Sequence, residues 1–385
     1  MQHKKRPIRI LILGFAFCFF FKAAHAQETT PAQSQEDPAN HVNDRGLLLG
    51  VYFPNDPNVS WNDLTAEKWV PDVSSEPRGQ FLTFWIARTG ETVSIQAVDG
   101  LLVPRATGFW HVGIQLVRGP KNSVTGTETW AVPVGTRPPP DKVDPEASGM
   151  DQAVRVITYV GPKYLGYVEH SIGGAGGWEY VGAGTVSLDE LGKNLSLESE
   201  LASAAIAEYH RHARAVDHMS ATPSDVEGGC NCCRGNPEEW GLRHVNASWE
   251  AYAIFRYGES SACSQQSEEY VIKAPVPRSM ASGASLNKSW DDLRMQAAAI
   301  LKDTPDVFDH FFVSPKQDLV VALTDNGIAV LSANGSDMTS VLKVEKFQSP
   351  CFPVMEQWAM GKYVSGWETA IRKGPLTSPP AKPGR

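Results

Sequence analysis

Short runs of β-branched and aromatic residues, bounded by glycine, proline or small polar residues, recur through most of this chain. Such runs are typical of β-strands, and the short breaks between them predict antiparallel strands joined by tight loops. The clearest examples lie at 79–87, 91–98, 108–117 and 152–172. We therefore expect a fold dominated by antiparallel β-sheet.

Two further segments have the pattern of a β-hairpin. In 241–258, a turn near 246–248 separates two runs that contain bulky aromatic residues. In 309–335, the sequence Asp-Asn-Gly at 325–327 separates two apolar runs, which is a strong signal for a hairpin turn. Both segments are predicted to add antiparallel strand pairs to the fold.

Helical patterns are few. The clearest runs over 197–218, with alanines on one side, charges on the other and Ser196 as its N-cap. A second helix is predicted over 289–302, because Ser289 is a suitable N-cap and acidic residues follow in the first turn. The aromatic-rich segment 354–373 is compatible with a third helix, apart from its two glycines. The predicted fold class is α+β, mostly antiparallel β-sheet with one long Ala-rich helix and one or two shorter helices.

Composition divides the chain into six predicted parts. Polar residues dominate the segment after the N-terminal apolar run, and prolines are dense at 133–149 and again at the C-terminus. The predicted parts are a signal peptide at 1–26, a disordered lead-in at 27–45, a β-rich domain or subdomain at 46–132, a Pro-rich loop or linker at 133–149, an α+β domain at 150–373 and a disordered tail at 374–385.

The N-terminal segment has the three parts of a secretory signal peptide. Basic residues precede an apolar run over 10–21, and the small-residue site Ala24-His25-Ala26 follows. The apolar run is about a dozen residues long, whereas a spanning helix needs about 20. We expect cleavage and a secreted or periplasmic protein, with an uncleaved anchor as the alternative.

The charge balance argues against nucleic acid and anionic membranes as partners. Cleavage would remove five basic and no acidic residues, which lowers the formal net charge from −8 to about −13. A surface of this sign repels phosphate backbones, and no Lys/Arg-rich run follows the signal peptide. No second apolar stretch is long enough to span a bilayer, so we expect no membrane span after cleavage.

Cysteine usage fits an oxidising compartment. The five cysteines after the signal peptide are disulfide candidates, and their odd number leaves one thiol, one intermolecular bond or one metal ligand. Adjacent cysteines are poorly placed to bond each other. We therefore expect two members of the 230–233 cluster to pair with the two distant cysteines. The candidates are Cys230, Cys232, Cys233, Cys263 and Cys351.

A group of histidines and cysteines over 210–233 forms a candidate metal site. Zinc and copper(I) prefer imidazole and thiolate ligands, although Cys-x-Cys-Cys lacks the spacing of ordinary structural zinc sites. On a helix, His210 and His212 point about 200° apart, so only one of them would join His218. The candidate ligands are His210, His218, Cys230, Cys232 and Cys233. Disulfide cross-linking is the competing interpretation, and under it no cofactor is expected.

Two other arrangements suggest catalysis but have ordinary explanations. Glu208 and His212 are four residues apart on the predicted helix, where an acid and a histidine can do acid–base chemistry or lie on a solvated face. His310 stands beside Asp309 with Ser314 four residues on, yet the chain has no Gly-x-Ser-x-Gly elbow. Phosphate-cradling, dinucleotide-binding and His-Glu-x-x-His motifs are also missing from the sequence.

Aromatic residues offer a candidate binding surface. The chain has 11 tryptophans and 10 tyrosines, and such side chains combine a large apolar face with a polar handle. Trp130, Trp178 and Trp240 lie in glycine-rich or polar settings and are predicted to be exposed. An unknown protein or a carbohydrate is the partner that such a surface would bind.

Three hypotheses about function follow. The first is an exported, non-enzymatic binding or structural module of unknown ligand. The second is a metal-binding protein that uses the His/Cys cluster at 210–233. The third is a hydrolase with dispersed carboxylates, which a cleft holding two carboxylates about 5 to 10 Å apart would favour.

Overall fold

Strand pairing organises the fold, which the computed structural model describes for residues 43–54, 79–146, 152–173, 178–220, 236–257, 266–272, 276, 283–284, 288–302, 308–324, 327–335, 337–347, 350–372 and 376–377. All of these residues belong to one compact unit, Pro38–Arg385. The predicted signal peptide and nearly all of the predicted lead-in lie outside the described residues.

The elements are defined here in chain order. The strands before the first helix are β1 (Arg45–Phe53), β2 (Gln80–Thr89), β3 (Thr92–Asp99), β4 (Leu101–Arg105), β5 (Gly108–Arg118), β6 (Val124–Pro133), β7 (Lys142–Val143), β8 (Gln152–Val160), β9 (Tyr164–Gly173), β10 (Trp178–Ser187) and β11 (Glu190–Asn194). The later strands are β12 (Trp240–Val245), β13 (Ser248–Tyr257), β14 (Gln266–Ile272), β15 (Phe308–Val313), β16 (Leu319–Thr324), β17 (Gly327–Asn334), β18 (Asp337–Lys346), β19 (Phe352–Met360) and β20 (Leu376–Thr377). The helices are α1 (Leu197–Glu200), α2 (Ser203–Ser220), α3 (Trp290–Ile300) and α4 (Lys362–Ile371), and a short 3-10 turn spans Pro120–Asn122.

The described strands form four sheets. Sheet A has the order β19-β1-β2-β3-β20, and sheet B has the order β11-β10-β9-β8-β6-β5-β4 with β7 beside β5. Sheet C is β12-β13-β14, and sheet D is β15-β16-β17-β18. Neighbours pair antiparallel except at β5–β7 and β6–β8. The coarse prediction of a β-rich, mostly antiparallel α+β fold with few helices is confirmed.

Sheet A is the central layer, because both of its faces are covered. β1 is buried along its whole length. Its odd-numbered residues, such as Leu47 and Leu49, pack with sheet D, and Leu48 and Tyr52 pack with sheet B and α4. This alternation follows from the two-residue period of a strand, which sends successive side chains to opposite faces.

The remaining cores lie outside this central layer. The second face of sheet D packs on α3 through Leu293 and Ala297. Sheet C packs α1 and α2 on one face and sheet B on the other, where Tyr252 and Ile254 meet strands β9 and β10. At one end of sheet B, Arg105 of β4 forms a 2.7 Å ion pair with Asp189 in the β10–β11 turn. The two ends of sheet B therefore approach each other, and the sheet is strongly curled.

The structure confirms two predicted hairpins and one predicted helix cap. The hairpins of 241–258 and 309–335 are confirmed by the antiparallel pairs β12–β13 and β16–β17. Ser289 caps α3 by accepting a hydrogen bond from the backbone of Asp292. The Pro-rich segment 133–149 contributes β7, which pairs in parallel with β5.

Two segments with helical patterns differ in the structure. The helix predicted over 197–218 is interrupted, because Leu201 is extended (φ −97°, ψ 162°) and its side chain is buried with that of Leu197. The segment 354–373, which was considered compatible with a helix, is a strand (β19) in its first half and α4 in its second. In β19 the chain pairs with β1 from Arg45↔Met360 to Tyr52↔Phe352, and this distant strand outweighs local preference. Among the described helices, none is both long enough and apolar enough to cross a bilayer.

Candidate functional site

An open cleft of about 600 Å³ lies where the start of β2, the β3–β4 turn and strands β5 and β6 meet. Its volume falls within the range of small-molecule sites, which hold a few polar groups among apolar ones. Thr136 and Pro138 at its rim are exposed. The lining residues are Gly79, Gln80, Phe81, Asp99, Gly100, His111, Val112, Gly113, Ile114, Trp130, Thr136 and Pro138.

An indole ring forms one wall of this cleft. Trp130 of β6 is the direct cross-strand partner of Gly113 of β5, so both lie on the same face of sheet B. A Cβ atom added to Gly113 would lie 2.6 Å from Cζ2 and 2.9 Å from Cε2 of Trp130. The ring therefore lies flat across Gly113, whose missing side chain leaves room for it. The half-buried indole lines the cleft and offers it an apolar platform.

A histidine and a carboxylate form the polar side of the cleft. His111 precedes Gly113 by two residues on β5, and Asp99 is the exposed last residue of β3. Gly100, with φ +75°, makes the turn into β4 and brings Asp99 to the cleft. Burial lowers the pKa of His111, and the nearby Asp99 carboxylate partly opposes this effect. The imidazole is therefore neutral at neutral pH and can both donate and accept hydrogen bonds.

The polar groups of the cleft suit a ligand with hydroxyl groups. Gln80, His111 and Thr136 can each donate and accept hydrogen bonds, whereas Asp99 only accepts them. None of the described lining residues is a lysine or an arginine. The cleft thus combines an aromatic platform with mixed donors and acceptors, and Asp99 is the one carboxylate among its described lining residues.

A second polar group lies in the interior, where sheets A, C and D meet. Nδ1 of His244 is 3.1 Å from Nδ1 of His310, and burial lowers the pKa of both histidines, to about 3 for His310. Trp249 packs against His244 and donates to Glu356. Because these side chains contact one another in the interior, we interpret them as a structural contact between the three sheets.

The predicted metal ligands lie mostly outside the described part of the chain. Nε2 of His210 lies 2.9 Å from Oε1 of Glu198, and for His218 the structure describes the backbone alone. Cys230, Cys232, Cys233 and Cys263 lie outside the described residues, whereas Cys351 is buried beside sheet A. Within the described residues, no three His, Cys, Asp or Glu side chains are arranged to hold a metal ion. The metal site and the disulfides stay predictions.

The two catalytic arrangements weighed in the sequence have structural contacts instead. Glu208 accepts a 3.0 Å hydrogen bond from the Tyr270 hydroxyl, and the His212 ring stacks on Tyr270 at 3.7 Å. The Ser314 hydroxyl donates to Asp318 at 2.7 Å and accepts from two backbone amides, which fixes the turn before β16. His310 contacts His244 in the interior, where sheets C and D meet.

The three tryptophans predicted to be exposed differ in their surroundings. Trp130 lines the cleft and is half-buried, and the side chain of Trp178 is not among the described atoms. The predicted exposure of Trp240 is wrong. Its ring is 0% exposed, and its Nε1 donates a 2.8 Å hydrogen bond to the Leu195 carbonyl. Its ring packs in the core that sheet C forms with α1 and α2, so the polar residues that precede it in the sequence do not expose it.

Sequence reasoning missed Asp99, His111 and Gln80, the polar side of the cleft. One signal was present in the sequence, because His111 interrupts the aromatic strand GFWHVG, and a titratable polar residue in such a strand is a candidate functional group. Comparison with known proteins adds no relative: no family model, no curated protein and no solved structure matches this chain. The function is therefore argued from the cleft.

Proposed function

We propose that this protein is an exported, non-enzymatic binding module that captures a carbohydrate in the cleft of sheet B. The observation that carries the proposal is the Trp130 ring, which lies across Gly113 and lines the cleft. The C–H groups of a sugar ring pack on such a face, since the face of an indole is electron-rich. Sugar hydroxyls then meet Gln80, His111 and Asp99.

A small ligand fits this site better than a protein partner does. The lining groups surround a concave volume, whereas protein interfaces of standard size bury about 800 Å² on each partner, usually over flatter surfaces. Binding is also favoured over hydrolysis, because glycoside hydrolysis ordinarily uses two carboxylates and the described lining contains Asp99 alone. Within the part of the chain that the structure describes, no observation favours the metal-binding hypothesis.

Export remains part of the proposal. The basic start, the short apolar run and the Ala24-His25-Ala26 site support cleavage and a secreted or periplasmic location. In such a compartment, the cysteines of the 230–233 cluster would be paired in disulfides. A carbohydrate ligand is consistent with a location outside the cytoplasm.

The test is calorimetric titration of the exported mature protein with a panel of neutral mono- and oligosaccharides. Trp130→Ala should weaken binding at least about tenfold, which is 1.4 kcal/mol, and Trp130→Phe should retain most of the affinity because a ring remains. Tyr363→Ala is the control, since Tyr363 is an aromatic residue that is 61% exposed on α4 and does not line the cleft. Absence of binding, or equal binding by Trp130→Ala and Tyr363→Ala, would refute the proposal.

A further inference from the structure

We propose that the cleft selects neutral sugars over acidic ones, and that Asp99 is the residue that sets this selectivity. This inference rests on the proposed function and deepens it by naming the class of carbohydrate. It concerns the charge of the ligand, which the aromatic platform by itself does not decide.

The position of Asp99 gives it this role. It is exposed at the end of β3, and the Gly100 turn holds it at the edge of the cleft. A carboxylate there accepts hydrogen bonds from sugar hydroxyls, and bonds to a charged acceptor are stronger than neutral ones. The same carboxylate repels the carboxylate or sulfate of an acidic sugar.

The lining groups do not offset this charge, and Arg137, which is exposed between the rim residues Thr136 and Pro138, is not among them. None of the described lining residues is a lysine or an arginine, and burial keeps the His111 imidazole neutral at neutral pH. Arg105 on the neighbouring strand β4 is occupied, since it pairs with Asp189 and lies 4.5 Å over the Trp110 ring. An acidic sugar would therefore meet one negative charge and no positive charge among the described lining groups.

The size of the effect follows from Coulomb's law. Two like charges about 4 Å apart weaken binding about fivefold in water and by a larger factor where the protein displaces water. At the edge of an open cleft the smaller factor applies, so we expect at least about a fivefold to tenfold preference for the neutral sugar. Removing the charge should remove most of that preference.

A cation is the competing ligand class, because Asp99 and the Trp130 face would both attract one. The donors of Gln80, His111 and Thr136 argue against it, since a cation makes no use of hydrogen-bond donors. The experiment therefore includes choline as a cationic probe.

The experiment compares a galactose tetramer with a galacturonic acid tetramer, by titration at pH 7 and low salt. Wild-type protein should bind the neutral tetramer at least about fivefold tighter. Asp99→Asn should shrink the ratio to below about twofold, and Asp99→Glu, which keeps the charge, should preserve it. Glu91→Gln is the matched control, because Glu91 lies in the β2–β3 turn. It therefore removes one negative charge at the other end of β3, roughly 25 Å from Asp99.

The outcomes separate this inference from the proposed function. If no sugar in the full panel binds, the proposed function fails. If the acidic tetramer binds as tightly as the neutral one and Trp130→Ala abolishes both, the cleft binds sugars but the selectivity is refuted. An unchanged ratio in folded Asp99→Asn, checked by circular dichroism, would also refute it. Choline binding that is tighter than any sugar and lost in Asp99→Asn would overturn the ligand class.

Discussion

Nε1 of Trp249 donates a 3.0 Å hydrogen bond to Oε2 of Glu356, and this bond joins sheet C to sheet A. The other carboxylate oxygen accepts a 2.7 Å bond from Nε1 of Trp358, two residues along β19. Glu356 is only 5% exposed. A buried carboxylic acid thus lies at the contact between two sheets that are distant in the sequence.

This buried acid makes stability depend on pH. Burial raises the pKa of Glu356 from 4.5 to about 7, although the two indole bonds oppose the shift. The fold therefore favours the protonated form, so the stabilisation is complete below the unfolded pKa near 4.5 and is lost as pH rises toward about 7. Over that window the loss is about 3 kcal/mol. Glu356→Gln, which cannot ionise, should flatten the dependence of the unfolding free energy on pH between 5 and 8.

Urea unfolding at a series of pH values measures this effect. The control is Glu190→Gln, an exposed glutamate on β11. It should keep the wild-type slope. A slope in Glu356→Gln equal to that of the wild type would contradict the prediction.

Arg45 and Asp318 form a second long-range contact. Arg45 is 2% exposed, and its Nη2 lies 2.6 Å from Oδ2 of Asp318 while its Nε donates to Oδ1 at 3.0 Å. Burial opposes ionisation of Asp318, but hydrogen bonds from Arg45 and Ser314 outweigh it and lower its pKa. Asp318→Asn would leave the buried guanidinium without this carboxylate, and we expect it to lower the unfolding free energy by about 3 kcal/mol at pH 7.

The matched control is Asp337→Asn. Asp337 also pairs with a cation, Lys288, at 2.6 Å, but its side chain is 69% exposed, so the loss should stay below about 1 kcal/mol. Because the Asp318 pKa is depressed, the contribution of the Arg45 pair is present above about pH 4 and falls in acid. Equal losses for both variants at pH 7 would show that the Arg45 pair has no special role.

Gly113 controls the aromatic platform. In Gly113→Ala, the new Cβ would lie 2.6 Å from Cζ2 of Trp130, so the ring must move away from its seat. We expect sugar affinity to fall about tenfold, as in Trp130→Ala, while the unfolding free energy falls by about 1 to 3 kcal/mol, the usual cost of overpacking. Gly192→Ala on β11 is the control, because its added Cβ meets no atom within 4 Å. Calorimetric titration and urea unfolding check the two quantities separately, and unchanged affinity in Gly113→Ala would argue against the platform.

Features that depend on neighbouring residues were predictable from the sequence. The hairpins β12–β13 and β16–β17 and the cap Ser289 are local, because the groups that bond one another are only a few residues apart. The helix over 197–218 was predicted too long, since burial of Leu197 and Leu201 in one core breaks it at a point that its periodicity does not mark.

Features that depend on distant residues were not predictable from the sequence. β19 forms because β1, about 300 residues earlier, supplies its hydrogen bonds. Trp240 is buried because Leu195 and the strands of sheet C enclose it. In the candidate cleft, Trp130 was singled out by its setting, but Asp99 and His111 come from different sheets and share no spacing that a motif could encode.

The sequence by itself determined that the fold is mostly antiparallel β-sheet with few helices, because strand periodicity and turn residues act over short stretches of chain. Only the tertiary structure decided which strands meet, which tryptophans are covered and which polar side chains share a cleft. The physical reason is that burial and long-range strand pairing depend on the whole arrangement of sheets. That arrangement places Asp99, His111 and Trp130 around one volume although no short stretch of sequence links them.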